Sequence, residues 1–219
     1  MLEIACFEIT SAETALRSVA DRIEFCSGHE FGGLTPLLEE FRYLNSVYQK
    51  PIYVMIRPKG GSFMYSDLEF EQMKRDIIAF RKAGADGFVF GILTSRNQID
   101  MPRNKILTEL AGDVPCTFHR AFDRTGDLDI SIEKLISLGF RNVLTSGGKN
   151  TAMEGKENLK KLVEKYSHKI NILVGGGVRS HNIGELQDFT GATHFHSSAI
   201  PDYESFTNDD EIKRLKKVL

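Results

Sequence analysis

Short apolar runs and amphipathic segments alternate along the whole chain. The runs LEIACFE (2–8), RIEFCS (22–27), IYVMIRP (52–58), GFVFGIL (87–93), CTFHRAF (116–122), NVLTSGG (142–148), NILVGGG (171–177) and HFHSSA (194–199) are each bounded by glycine, proline or charge. Such runs predict eight buried strands. Between them the pattern changes to a helical period. Over 67–83 the apolar positions Leu68, Phe70, Met73, Ile77, Ile78 and Phe80 fall near a 3.6-residue repeat. Ser66 with Glu69 has the spacing of a capping box, and Gly84 follows Arg81 and Lys82 as a C-terminal stop. Thr10 with Glu13 predicts the same cap before a helix over 11–20, and Thr35–Pro36 opens one over 37–48. Segments 127–138, 156–166, 180–188 and 209–217 read as further helices.

The returns to strand look alike: AGADGFVF (83–90), LGFRNVL (138–144) and TGATHFH (190–196) each put glycine at a helix end just ahead of a strand. The units recur about every 27 residues, the length a strand, a helix and two short loops need. Strands and helices in strict alternation imply a parallel sheet. Eight units predict an α/β chain folded as a (β/α)8 TIM barrel, a single compact domain over 1–219. A doubly wound sheet is the rival, but its glycine-rich first turn is missing from LEIACFEIT.

Composition narrows the function. The 219 residues carry 28 Lys+Arg against 30 Asp+Glu, a balance that argues against nucleic-acid binding. No apolar stretch approaches the ~18–20 residues of a membrane span, so no membrane partner is expected. The start lacks a secretory pattern, and three widely spaced cysteines (Cys6, Cys26, Cys116) make no disulfide framework. A reducing, cytoplasmic location is expected.

Strand parity supplies candidate chemistry. Ile4, Cys6 and Glu8 share one face, Glu24 and Cys26 another, Tyr53, Met55 and Arg57 a third, and Thr117 and His119 a fourth. With the aliphatic and aromatic set packed on the helices, Cys6, Glu8, Glu24, Cys26, Arg57 and His119 are expected to point into the barrel. Several lie towards strand C-terminal ends, where such barrels place their sites. Buried charges are expected to pair, and Glu24 and Arg57 on adjacent strands suit a bidentate contact. His119 is a proton donor or acceptor near neutral pH, and Asp123 ends its strand at the mouth. Glu8, Glu24, Arg57, His119 and Asp123 are therefore the candidate catalytic set.

Glycine-rich strand ends suggest an anion seat. TSGG offers Ser146 and Gly147, GGGV offers Gly176 and Gly177 ahead of Arg179, and HSSA offers Ser197 and Ser198. A phosphate- or carboxylate-bearing small molecule is the ligand this predicts. The segments 28–36 and 59–67 read as ordered loops or as lids over the mouth. Cys6 and Cys26, if both face inwards, are placed to share a soft ion such as Cu(I). His194 and His196 make an H-x-H pair with no carboxylate cluster near it in sequence.

Taken in order, ADRIEFCSG with GGLTP, PIYVMIRPKGG, YSDLEFEQM, GADGFVFGIL, TFHRAFD, LTSGG, GGGV and HSSA resemble the CutC family over about residues 2–200. The resemblance implies a cytoplasmic (β/α)8 barrel that forms homo-oligomers, dimeric or tetrameric. It also implies copper homeostasis, with copper as the bound ion and Cys6 and Cys26 matching the family's proposed ligands. Two readings follow: a copper-binding homeostasis protein, or an enzyme acting on an anionic small molecule at the barrel mouth.

Overall fold

The computed structural model describes residues 1–202 and 204–219. Eight parallel strands close into a barrel in chain order: β1 (Leu2–Cys6), β2 (Arg22–Phe25), β3 (Ile52–Met55), β4 (Gly87–Phe90), β5 (Cys116–Phe118), β6 (Asn142–Thr145), β7 (Asn171–Val174) and β8 (His194–Ser197). Around them stand α1 (Ile9–Arg17), α2 (Leu38–Val47), α3 (Asp67–Lys82), α4 (Met101–Ala111), α5 (Leu128–Ser137), α6 (Lys156–Tyr166), α7 (Ile183–Thr190) and α8 (Asp209–Val218). Short 3-10 turns cover His29–Phe31 and Arg120–Arg124. The expected barrel is the fold observed.

Local chemistry explains most boundaries. The Ser66–Glu69 capping box closes the start of α3 as its spacing predicts. The α1 cap differs: Glu8, not Thr10, accepts the N–H groups of Thr10 and Ser11 at 2.9 and 2.8 Å. Likewise α2 begins after Leu37 rather than at Thr35. Helix α4 is absent from the apolar pattern, because few of its residues face the core: Asn104, Leu107 and Ala111 are buried. Its signals are the Asp100 cap and Pro102 in the first turn.

The main core lies between barrel and helices. Leu2, Ile4, Cys6, Ile23, Phe25, Ile52, Val54, Phe88, Phe90, Phe118, Val143, Val174 and Phe195 all belong to it. A smaller cluster of Cys26, Tyr53, Met55 and Val89, with Phe7 against it, fills the barrel interior. Deeper inside, a polar ladder crosses three strands: Asn171 donates to Asn142 (2.9 Å) and Asn142 to Thr117 (3.0 Å). Buried amides persist only when paired, and this ladder pairs them.

This layering corrects the parity expected for β1. Leu2 and Ile4 face the helices, so Cys6 and Glu8 go with them and Glu3, Ala5 and Phe7 turn inwards. The shared Cys6–Cys26 site expected from sequence is corrected with it. The Cys6 thiol lies in the outer core against the carbonyls of Ile4 and Ser11, while Cys26 lies in the inner cluster.

Candidate functional site

A cavity of about 340 Å³ opens at the C-terminal end of the barrel. Its floor includes Ala5, Glu24, Met55, Leu144 and His196. One wall is largely aromatic, with Phe7, His29, Phe63 and His119; the opposite wall carries Arg120, Gly176, Gly177, Arg179, Ser197 and Ser198. A second groove shares Gly32, Arg57, Phe63 and Arg120 with it and continues outwards past Arg124 and Lys149.

At the floor two carboxylates flank one imidazole. Register places Glu3 beside His196 on β8 and beside Arg22 on β2. His196 Nδ1 stands 2.8 Å from Glu3 Oε1, and its Nε2 stands 3.5 Å from Glu24 Oε2. Arg22 Nε donates to Glu3 at 2.5 Å, and its guanidinium covers the Tyr53 ring at 4.0 Å. Burial pushes Glu24 up to about 7, only partly opposed by His196. Burial also acts on Glu3, but Arg22 and His196 hold it below the usual carboxylate range. Burial works against a charged His196 ring too, yet Glu3 and Glu24 keep it above the ordinary imidazole value. Glu24 is 2% exposed, and its Oε1 has no hydrogen-bond partner among the described residues. Potential ligand atoms of Glu3, Glu24 and His196 lie within 4.8 Å of one another. Arg22 and a protonated His196 already balance the two carboxylates, so this reads as a self-neutralised network, not a metal centre.

Glu24 does not pair with Arg57, correcting that expectation. Arg57 Nη1 donates to the carbonyls of Phe31 (2.7 Å) and Gly33 (2.9 Å), and Nη2 to that of Gly61 (3.3 Å). The side chain also lies 5.0 Å from the Phe63 ring centroid. Arg57 thus pins the two loops that border the mouth, since guanidinium geometry satisfies several carbonyls at once.

His119 caps the 3-10 turn that follows β5. Its Nδ1 accepts the Ala121 N–H at 3.3 Å, which leaves the ring proton on Nε2. Burial and the nearby Arg57 charge pull its pKa down to about 3, so the ring is neutral. It is 3% exposed, and its Nε2 has no partner among the described residues. Gly91 lets this ring approach: a Cβ there would stand 2.8 Å from it.

The remaining candidates separate. Glu8 lies outside the cavity, as the α1 cap, and is corrected accordingly. Asp123 organises the β6 loop, accepting from Thr145 Oγ1 (2.5 Å), Ser146 N (3.1 Å), Gly148 N (3.0 Å) and Arg120 Nε (2.9 Å). Ser146 Oγ donates to Lys149 O, and Gly147 N donates to Thr145 Oγ1. These three residues stand behind the cavity wall, whereas Gly176, Gly177, Ser197 and Ser198 line it. Arg120 reaches the same wall, held by Asp123 and Ser146. Gly176 adopts φ +99°, and a Cβ there would lie 3.1 Å from Ser146 and 3.2 Å from the Arg120 guanidinium carbon. The N–H groups of Gly176 and Gly177 donate to nothing among the described residues.

Sequence reasoning missed Glu3 and His196 as partners of Glu24. The available signal was parity: the rule that turns Ile23 and Phe25 outwards also turns Leu2 and Ile4 outwards and brings Glu3 in.

Cys6 and Cys26 face opposite sides of the barrel wall, and burial raises both thiols well above their ordinary range. They do not fit a shared two-thiolate site. Cys26 Sγ and Met55 Cε each stand 3.3 Å from the point a Gly33 Cβ would occupy, so one thiol and one thioether do share a face.

A family model described as CutC family matches residues 1–201. The copper homeostasis protein cutC homolog of Homo sapiens is 43% identical over 91% of this chain and 73% of its own length. A family protein CutC of Xanthomonas campestris is 40% identical over 90% of this chain and 82% of its own. A CutC crystal structure from Streptococcus agalactiae superposes with TM-score 0.86 at 33% identity, covering 90% of this chain and 98% of that one. A thiamine phosphate pyrophosphorylase from Pyrococcus furiosus, at TM-score 0.66 and 17% identity, shares the fold alone.

Proposed function

The chain belongs to the CutC family, and from that premise we propose that it is an enzyme acting on a small phosphate- or carboxylate-bearing molecule at the barrel mouth. The observation that carries this reading is the Glu3–His196–Glu24 network at the floor of a cavity whose other wall is cationic. A carboxyl group titrating near neutrality is suited to take up and release a proton. His196 stabilises the Glu24 carboxylate through Nε2, and Glu3 orients the ring from Nδ1. Arg120, Arg179 and the Gly176–Gly177 turn seat the anion, because oriented N–H groups and fixed guanidinium charges favour it. Arg179 is itself held by the Ile200 carbonyl at 3.0 Å, so its charge is positioned in advance.

The test is a thermal-shift and native mass-spectrometry screen of phosphorylated and carboxylated metabolites, repeated with Arg179→Ala. Stabilisation by at least one anion, lost in the variant, supports the reading. Failure of every anion to bind overturns it.

Copper handling is the second reading. It comes from the names of the relatives, and the soft donors Cys26 and Met55 on one face are what favour it here. Anaerobic Cu(I) titration separates the thiols: Cys26→Ser should lower the stoichiometry and Cys6→Ser should leave it unchanged. Full binding by the double variant removes both cysteines as ligands. The cytoplasmic location and the homo-oligomer expected from the family remain part of the proposal. No helix among the described residues is long and apolar enough to cross a membrane.

A further inference from the structure

We propose that the reaction at this mouth is proton abstraction next to a carbonyl, with Glu24 as the base and the His119 Nε2–H as donor to the developing oxyanion. The inference rests on the anion-site reading and names its substrate class: a small phosphorylated or carboxylated carbonyl compound.

Two partner-free polar atoms carry it. Among the described residues neither Glu24 Oε1 nor His119 Nε2 has a hydrogen-bond partner; both atoms are buried, and both residues line the same cavity. A buried donor and a buried acceptor left unmade are costly, and such atoms in a cavity await a ligand that completes them. Their chemistry is complementary. Glu24 accepts a proton, whereas His119 only donates, because its Nδ1 is occupied by the Ala121 N–H. A neutral imidazole fixed at the start of a helical turn is suited to polarising a carbonyl oxygen. Arg57 stands near His119 with its own hydrogen bonds directed to loop carbonyls, so its positive charge, added to burial, keeps the ring neutral.

The step balances without any redox partner. Glu24 takes a proton from the carbon beside the carbonyl. The C–H electron pair becomes the C=C bond as the C=O π pair moves onto oxygen, and that oxygen accepts the His119 N–H. The Glu24 carboxylic acid then returns its proton to carbon. His196, whose Nε2 stands 3.5 Å from Glu24 Oε2, holds the Glu24 carboxyl group in place between the two transfers. Where the Glu24 acid exchanges with solvent before that return, D2O places deuterium on the carbon.

The experiment compares two probes by isothermal titration of the full chain: phosphoglycolohydroxamate, which mimics an enediolate, and sn-glycerol 3-phosphate, which carries the phosphate alone. The wild type should bind the hydroxamate at least tenfold more tightly. His119→Phe should bring the two affinities together, and His119→Gln should restore part of the preference. Nitrogen-15 NMR of the wild-type ring supplies a second reading that needs no variant to fold. The His119 Nε2–H signal should be present without ligand and move downfield by at least 1 ppm with the hydroxamate. Equal affinity for both probes, or an unmoved ring signal, overturns the enolisation step and leaves the anion seat standing. If neither probe nor any anion in the screen binds, the seat itself is wrong, and this inference falls with it.

Discussion

Burial sets the behaviour of His119 and Glu24, and it pushes them in opposite directions. The His119 pKa falls from 6.5 to about 3 on folding, so the native state holds fewer protons than the unfolded chain across that interval. Its contribution is fully present above 6.5 and is lost as pH falls towards 3. Denaturation of wild type against His119→Gln should show the stability difference shrinking by about 1.4 kcal/mol per pH unit below 6.5. A constant difference contradicts a buried neutral ring. Glu24 runs the other way: its pKa rises from 4.5 to about 7, so stability falls as pH rises through that interval. The charged and titratable groups around it are Glu3, Arg22 and His196, all within the same network. Glu24→Gln should flatten the decline between pH 5 and 7, and an unchanged slope would mean the group ionises freely. Parity in the sequence placed Glu24, His119 and Arg57 inside the barrel. It did not give their partners, because Arg57 is long enough to leave its strand and reach three loop carbonyls.

At the scale of elements, the strand–turn–helix units were legible wherever an element buries a continuous apolar stripe. Helix α3 was predicted over 67–83 and spans Asp67–Lys82. Helix α4 escaped because it faces the core with few residues, one of them Asn104, which holds Ile92 through both its backbone groups. Strand β5 stops at Phe118 because His119 begins a 3-10 turn, a feature the apolar run CTFHRAF conceals. The ends of β7 (GGGV) and β8 (HSSA) line the cavity, but the β6 end was not distinguishable from them by composition. Asp123 occupies that third turn from within the chain and so closes it to a ligand. Gly176→Ala tests the open seat. A Cβ there strains a φ of +99° and crowds Ser146 and Arg120. Phosphate binding should weaken at least tenfold by titration while far-ultraviolet circular dichroism stays native. Unchanged affinity would move the seat elsewhere.

For the molecule as a whole, the closed ring of eight strands decides which groups meet, since Glu3 and His196 are 193 residues apart in sequence and adjacent in the barrel. No local pattern encodes that contact; only closure of β8 on β1 does. The outer surface exposes Tyr43 and Val47 on α2, and the proposal includes a homo-oligomer. Light scattering should give a mass of two or four 24.6 kDa chains, and a monomer mass contradicts that expectation. The account as a whole stands on what occupies the mouth. The direct measurement is a crystal structure with the strongest anion from the metabolite screen. The account predicts its anionic group between Arg120, Arg179 and the Gly176–Gly177 turn, with the remainder of the ligand reaching Glu24. A ligand seated on the outer helices, for example in the groove beside Asp129 and Lys165, would contradict it.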